Sequence, residues 1–391
     1  MLNTRLSPWP SYSEEEVEAV AAVLRSNRVN YWTGTESREF EKEFAAYIGS
    51  RHAIALGNGT LALDLALHVL GIGAGDEVIV TSRTFLASAS SIINAGAVPV
   101  FVDVDRDSQN ITADTIAPAI TPRTKGILCV HLAGWPCDMD PIMALAKTHN
   151  LYVIEDCAQA HGAKYKGRHV GTIGHMGAWS FCQDKIMTTG GEGGMLTMDN
   201  TDWWKAAWAY KDHGKSYDAV YEKQHPPGFR WLHESFGTNW RITEMQSAIG
   251  RIQLRRLDAW KARRQALAAK LDSVLRQHDV VRVPSVPADI EHAEYKHYAF
   301  VRPERLREGW TRDAIIEALT AKGVPAYQGS CSEVYLEKAF DNTGWRPEVR
   351  LPVARELGET SLMFLVHPTL TDEEMAFVCR ELDEVLTAAS R

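Results

Sequence analysis

The chain has 391 residues, 45% of them hydrophobic and 24% charged, with a formal net charge of −8 at pH 7. That length exceeds one ordinary compact core and calls for two domains, or one large domain with a smaller one attached. The acidic balance excludes an electrostatic footprint for nucleic acid or an anionic membrane. No apolar run is long enough to span a bilayer, and the opening MLNTRLSPWPSYSEEE lacks the apolar stretch of a secretory leader. The six cysteines (Cys129, Cys137, Cys157, Cys182, Cys331, Cys379) are scattered with no C-x-x-C pair. Their spacing predicts a cytoplasmic protein with neither a disulfide frame nor a zinc site. The 14 histidines have no metal-ligand spacing, and most read as surface or loop residues.

In chain order, SEEEVEAVAAVLRSN predicts a helix that Ser13 caps, with Glu16 three positions on to complete a capping box. EFEKEFAAYIGS predicts a second helix stopping at Gly49. HAIALGNGTLALDLALHVLGIGAGDEVIVT then reads as strand, glycine turn, helix, glycine turn and strand. AVPVFVDVD, KGILCVHLAG and LYVIEDCAQ are further short β-branched runs, with helical DPIMALAKTHN among them. Strands alternating with helices imply a mostly parallel sheet with helices on both faces. Ligands of such sheets gather at the carboxyl ends of the strands, so the polar residues just after these runs carry the functional reading. After about residue 240 the pattern changes. A long helix through ITEMQSAIGRIQLRRLDAWKARRQALAAKLDSVLRQH links to a smaller α+β unit containing KHYAFVRPE, TRDAIIEALTAKG and TDEEMAFVCRELDEVLTAAS. The expected division is a large domain at 1–250 and a small C-terminal domain at 251–391.

Four stretches could carry chemistry. GNGT at 57–60 follows a strand and opens a helix, where unpaired N–H groups and the helix dipole suit a phosphate; by itself it also fits an ordinary β–α turn. Asp156 ends the strand LYVIED, where a carboxylate can pair with a protonated ring nitrogen, and Gln159 could donate to a ring oxygen; a capping aspartate is the other reading. Phe85, after the strand DEVIV, could stack on a flat ring or lie in the core. Lys185, in WSFCQDKIMTTGGEGG, sits five residues after Ser180. An isolated lysine there would read as a solvated loop residue. With GNGT, Phe85, Asp156 and Gln159 in this order, it reads as an amine that links covalently to pyridoxal phosphate, with Ser180 supplying a hydroxyl to the phosphate.

The chain resembles the DegT/DnrJ/StrS family of sugar aminotransferases, which have the aspartate-aminotransferase (type I) pyridoxal phosphate fold. The resemblance runs through GNGTLALDLAL, GIGAGDEVIVTSRTF, GAVPVFVDVD, VIEDCAQAHGAKYKGRHVG, SFCQDK, GGEGGML, GTNWRITEMQSAIG and LMFLVHPTLT. It implies that Lys185 is the catalytic, cofactor-linked lysine, that Asp156 holds the pyridine nitrogen, that Gln159 contacts the ring hydroxyl, and that Phe85 stacks on the ring. It further implies that Gly59, Thr60 and Ser180 hold the phosphate, and that Asn239 in GTNWR reaches it from the partner subunit of a homodimer. The implied activity moves an amino group from an amino acid, glutamate by expectation, to a nucleotide-linked keto-deoxy sugar (with C4 favoured) for surface polysaccharide or natural-product sugars. The cofactor would alternate between pyridoxal and pyridoxamine phosphate. The family's dehydratase branch has histidine in place of the lysine, and a pyridoxal-phosphate-binding regulator would need a DNA-binding module; Lys185 and the absence of a basic patch count against both. Two features depart from the pattern. Asp184 stands where many members have threonine, and a carboxylate there would favour a protonated lysine nitrogen. The segment 211–235 is long for a connection and rich in His, Tyr and Trp, which suits either substrate contact or a dimer contact. Substrate contacts are expected there and around Tyr327, Ser330 and Ser332.

Overall fold

The computed structural model describes residues 6–391; the first five residues of the opening stretch, read above as lacking a leader, lie outside the described residues. Helix α1 (Glu14–Ser26) begins at the expected capping box, with the Glu16 carboxylate accepting the Ser13 amide at 2.6 Å. Helix α2 (Glu36–Ile48) ends at Gly49, whose φ of 82° is the left-handed conformation glycine adopts most easily.

Seven strands form the main sheet: β1 (His52–Leu56), β2 (Glu77–Thr81), β3 (Val98–Val102), β4 (Thr124–Val130), β5 (Tyr152–Asp156), β6 (Met176–Ser180) and β7 (Gly194–Met198). Their spatial order is β1-β7-β6-β5-β4-β2-β3. β2, β3, β4, β5 and β6 pair in parallel, whereas β7 runs antiparallel to both β1 and β6. One reversed strand therefore leaves β1 pointing the same way as the parallel set, and the carboxyl ends of β1, β2, β5 and β6 share one edge. β2 is buried along its whole length, as a strand covered on both faces must be. Helix α3 (Gly59–Val69) follows β1 and α4 (Ala87–Asn94) follows β2.

A second sheet of four strands lies within residues 281–364. Helix α5 (Glu244–Leu275) runs between the two bodies. Its Leu254 and Leu257 pack into a core with Phe40, Trp179 and Met195. Its Leu267, Leu271 and Leu275 pack into a separate core with Ile315, Phe364 and Leu382. The C-terminal part also gives residues back to the main sheet, because Val334, Tyr335 and Phe340 belong to the core around β2, β3 and β4. His131, His161, His297 and His367 are buried, while the other histidines are partly or fully exposed. Among the described residues no helix is long and apolar enough to cross a membrane.

Candidate active site

A cavity of about 600 Å³ opens at the shared edge of β1, β2, β5 and β6, and Gly59, Thr60, Phe85, Asp156, Gln159, Ser180 and Lys185 all line it. Residues from four separate turns converge there because parallel strands deliver their carboxyl ends side by side.

One end of the cavity is built by close approach. α3 starts at Gly59, and the Asn58 side chain caps it by accepting the Leu61 amide at 3.0 Å, which leaves the first amides of the helix for an anion. A Cβ on Gly59 would lie 2.6 Å from Ser180 Cβ, so only glycine lets this turn meet the Ser180 hydroxyl. Gly194 pairs with both Leu56 and Ser180 across the sheet, and a Cβ there would lie 2.2 Å from the Asn58 carbonyl oxygen.

The other end rests on Asp156, which is buried. Its Oδ2 accepts the Ser88 hydroxyl at 2.8 Å and its Oδ1 the Ala158 amide at 3.1 Å. Thr84 Oγ1 lies 2.8 Å from Ser88 Oγ, completing a relay of hydroxyls from the β2 turn. Burial pushes the Asp156 carboxyl up, against these bonds and the Lys185 charge, and a cationic ring nitrogen is the partner that would restore its ionised form. Gln159 is oriented by its oxygen, which accepts the Ala133 amide at 2.8 Å, so its NH₂ is left to donate. Phe85 is 72% exposed, an aromatic face with no protein covering it.

Lys185 is held by its backbone. Its amide donates to the Cys182 carbonyl at 3.1 Å, and its carbonyl accepts the Trp9 indole N–H at 2.9 Å. Its Nζ lies 3.6 Å from Asp184 Oδ1. His161 sits behind it against Trp179 and Phe181. Burial, with Lys185 and Arg264 adding positive charge nearby, pushes His161 down to about 3, so it is a neutral wall.

Sequence reasoning missed Ser88, Cys182 and Glu192, which also line the cavity. Ser88 had a usable signal, standing three residues after Phe85 in the first turn of the helix that follows β2. Asn239 is exposed, bridges to Asp212 and does not line the cavity of its own chain. Neither do residues 211–235, Tyr327, Ser330 or Ser332. The Ser332 hydroxyl instead donates to the Ala354 carbonyl. The stretch still runs beside the site, since Thr84 donates to the Cys331 carbonyl and Val334 to that of Ser82.

One other cluster has metal-like chemistry: His131, Glu155 and Cys157, all buried. Its polar atoms are engaged. His131 Nδ1 accepts the Cys137 amide at 2.9 Å, so Nε2 carries the proton and donates to Glu155 at 2.9 Å. The amides of Gly171, Ile173 and Gly174 fill the rest of the Glu155 carboxylate. This is a structural node one strand position away from Asp156.

The donor set therefore fits a phosphorylated pyridine aldehyde, with anion, ring-nitrogen, ring-oxygen and amine contacts in one cavity. Relatives agree. GDP-perosamine synthase of Caulobacter vibrioides is 40% identical over 355 residues, 89% of each chain. An aminotransferase from Psychrobacter cryohalolentis superposes with a TM-score of 0.97 at 61% identity, covering 98% of this chain and 99% of that one. Spr1654 of Streptococcus pneumoniae, solved in its PLP form, superposes with a TM-score of 0.86 at 27% identity, covering 98% and 99%. The fold is that of the type I pyridoxal phosphate enzymes. With a family model matching residues 10–383, the chain belongs to the DegT/DnrJ/EryC1/StrS aminotransferase family, whose cofactor is pyridoxal phosphate.

Proposed function

We propose that this sugar aminotransferase carries an amino group from L-glutamate to a nucleotide-linked keto-deoxy sugar with its ketone at C4, in the making of a polysaccharide or natural-product sugar. One observation supports the sugar reading above the rest: among the described residues, no arginine lines the cavity. An enzyme that binds carboxylates in both half-reactions lines its site with a guanidinium for bidentate pairing, whereas the buried Arg264 on α5 lies outside this lining. Here the charged lining is Asp156, Asp184, Lys185 and Glu192, a surface suited to hydroxyl groups. The name of the Caulobacter relative, a GDP-perosamine synthase, points to the same substrate class.

The bound cofactor supplies an aldehyde that captures amino groups and a ring that accepts electrons. The chain's own residues do the rest. Gly59 and Thr60 amides and the Ser180 hydroxyl anchor the phosphate, Asp156 keeps the ring nitrogen protonated, Gln159 orients the ring oxygen, and Phe85 covers one ring face. Lys185 holds the cofactor at rest and, once freed, moves a proton through Nζ. Asn239 of a second copy completes the phosphate site. In this reading residues 1–250 form the cofactor-binding domain and 251–391 the small domain, joined by α5.

The test loads the enzyme as its pyridoxamine form and follows the return of the pyridoxal spectrum with each candidate acceptor. A nucleotide-linked 4-keto sugar is expected to convert it much faster than oxaloacetate or pyruvate. Return only with a 3-keto sugar would move the ring position; turnover of ordinary keto acids with every nucleotide sugar inert would end the sugar reading.

A further inference from the structure

Asp184 stands directly before Lys185, and its carboxylate turns toward the lysine. One oxygen lies 3.6 Å from Lys185 Nζ, and the other accepts the Tyr295 hydroxyl in a short hydrogen bond. Tyr295 comes from more than a hundred residues away, just before the small-domain strand His297–Val301, and is buried. Its ring centroid lies 5.2 Å from Lys185 Nζ and 4.7 Å from Lys296 Nζ. A single phenol thus fixes the carboxylate and lends its π-system to two ammonium groups.

The surrounding charges make that carboxylate matter. Asp156 and His161 face Lys185 from β5 and the loop after it, Cys182 from the lysine's own loop, and Lys296 from the small domain, while Arg264 on α5 bears on His161 and Lys296. Arg264 is buried, with Nε and one terminal nitrogen lacking partners among the described residues. Burial pushes Lys296 down to about 8 despite Asp184. Asp156 is committed to the ring nitrogen, so Asp184 is what offsets this positive neighbourhood at Lys185. Burial raises the Asp184 carboxyl, but Lys185, the Tyr295 hydroxyl and Lys296 outweigh it and hold the group below its ordinary value. It is ionised at neutral pH.

We propose that Asp184, tethered by the Tyr295 hydroxyl, is a positioning residue that keeps the cofactor-linked nitrogen of Lys185 protonated, the form open to attack by the donor amine. The inference rests on Lys185 being the attachment site, which borohydride reduction and peptide mapping establish first and separately.

The experiment titrates the visible absorbance of the holoenzyme against pH for wild type, Asp184→Asn, Tyr295→Phe and the double variant. An opposite charge within about 4–6 Å shifts a pKa by roughly 1–3 units, and Asp184 is partly open to solvent, so Asp184→Asn should lower the midpoint by roughly one unit. Tyr295→Phe keeps the charge and loses the tether, so it should lower the midpoint less. The double variant should fall no further than Asp184→Asn, because the two side chains act as one unit. The alkaline limb of kcat/KM for the amino donor should move with the midpoint. Asp184→Thr serves if Asp184→Asn folds poorly, with melting curves as the control. A midpoint unchanged in the Asp184 variants, or additive shifts in the double, overturns the proposal.

Discussion

Glu155 and Asp156 are neighbours on β5 with unlike tasks, because successive side chains of a strand face opposite sides of the sheet. Glu155 ties His131 to the loop at 171–174, and Asp156 faces the cavity. Asp156→Ala should therefore slow turnover far more than it weakens the fold. A loss of about 100-fold or more in kcat is expected, the usual scale when one preorganised charge is removed from an active site, with the melting temperature of the apoenzyme little changed. Near-normal kcat with cofactor bound would refute the role. Gly59→Ala probes the other end. The added methyl would sit 2.6 Å from Ser180 Cβ and 3.0 Å from its Cα, and overpacking of this kind costs about 1–3 kcal/mol. Cofactor affinity, followed by fluorescence titration of the apoenzyme, should drop by roughly 5- to 150-fold. Lys185, Asp156 and Gly59 were legible in the sequence because each closely follows a strand or marks a glycine turn. Tyr295 and Arg264 were not, since their nearness to Lys185 arises only from the docking of the small domain.

At the scale of elements, local signals mark helix ends well and strand order poorly. The capping box at the start of α1 and Gly49 at the end of α2 are each set by a few neighbouring residues. The reversed strand β7 emerges from the run GGEGGMLTM, where glycines that permit close approach to the Asn58 turn also blur the strand pattern. The tie between α5 and the strand at 297–301 was equally hidden. His297 Nε2 lies 2.9 Å from Asp272 Oδ1 on α5, at an angle too poor for a hydrogen bond, and Nδ1 lies 3.3 Å from Glu294 Oε2. Burial lowers His297, but the two carboxylates outweigh it and raise it to about 9. A raised histidine contributes stability that is fully present below its unfolded value, about 6.5, and is lost as pH rises through 9. His297→Gln should then cost on the order of 3 kcal/mol near pH 6 and much less near pH 10. The comparison has to be between variant and wild type, since burial pushes Lys211 and Lys296 down to about 8 and bends the wild-type curve the opposite way. A gap between the two proteins that does not change with pH would show that His297 acts through packing alone.

For the molecule as a whole, one side of the cavity is bordered by exposed aromatic groups. Phe85 at the cavity mouth is 72% exposed, Phe229 and Trp231 on the segment expected to contact substrate or a second chain are 78% and 80% exposed, and Phe236 just after that segment is 99% exposed. Large aromatic groups left this open mark a surface that meets something. Asn239 stands next to that segment, bridged to Asp212 and outside its own cavity. No local pattern marks Asn239; only the family resemblance assigns it a role across an interface. If Asn239 completes the partner's phosphate site, two inactive proteins should rescue one another. In a hybrid of Lys185→Ala and Asn239→Ala subunits, the site with Lys185 borrows an intact Asn239 from its neighbour, while the other site lacks both. Random exchange of equal amounts makes half the dimers hybrid, each with one working site, so activity should recover to about a quarter of wild type. Exchange is verified with differently tagged subunits, and Asn239→Ala must be clearly impaired alone. Hybrids that form and stay inactive would place Asn239 in the service of its own chain.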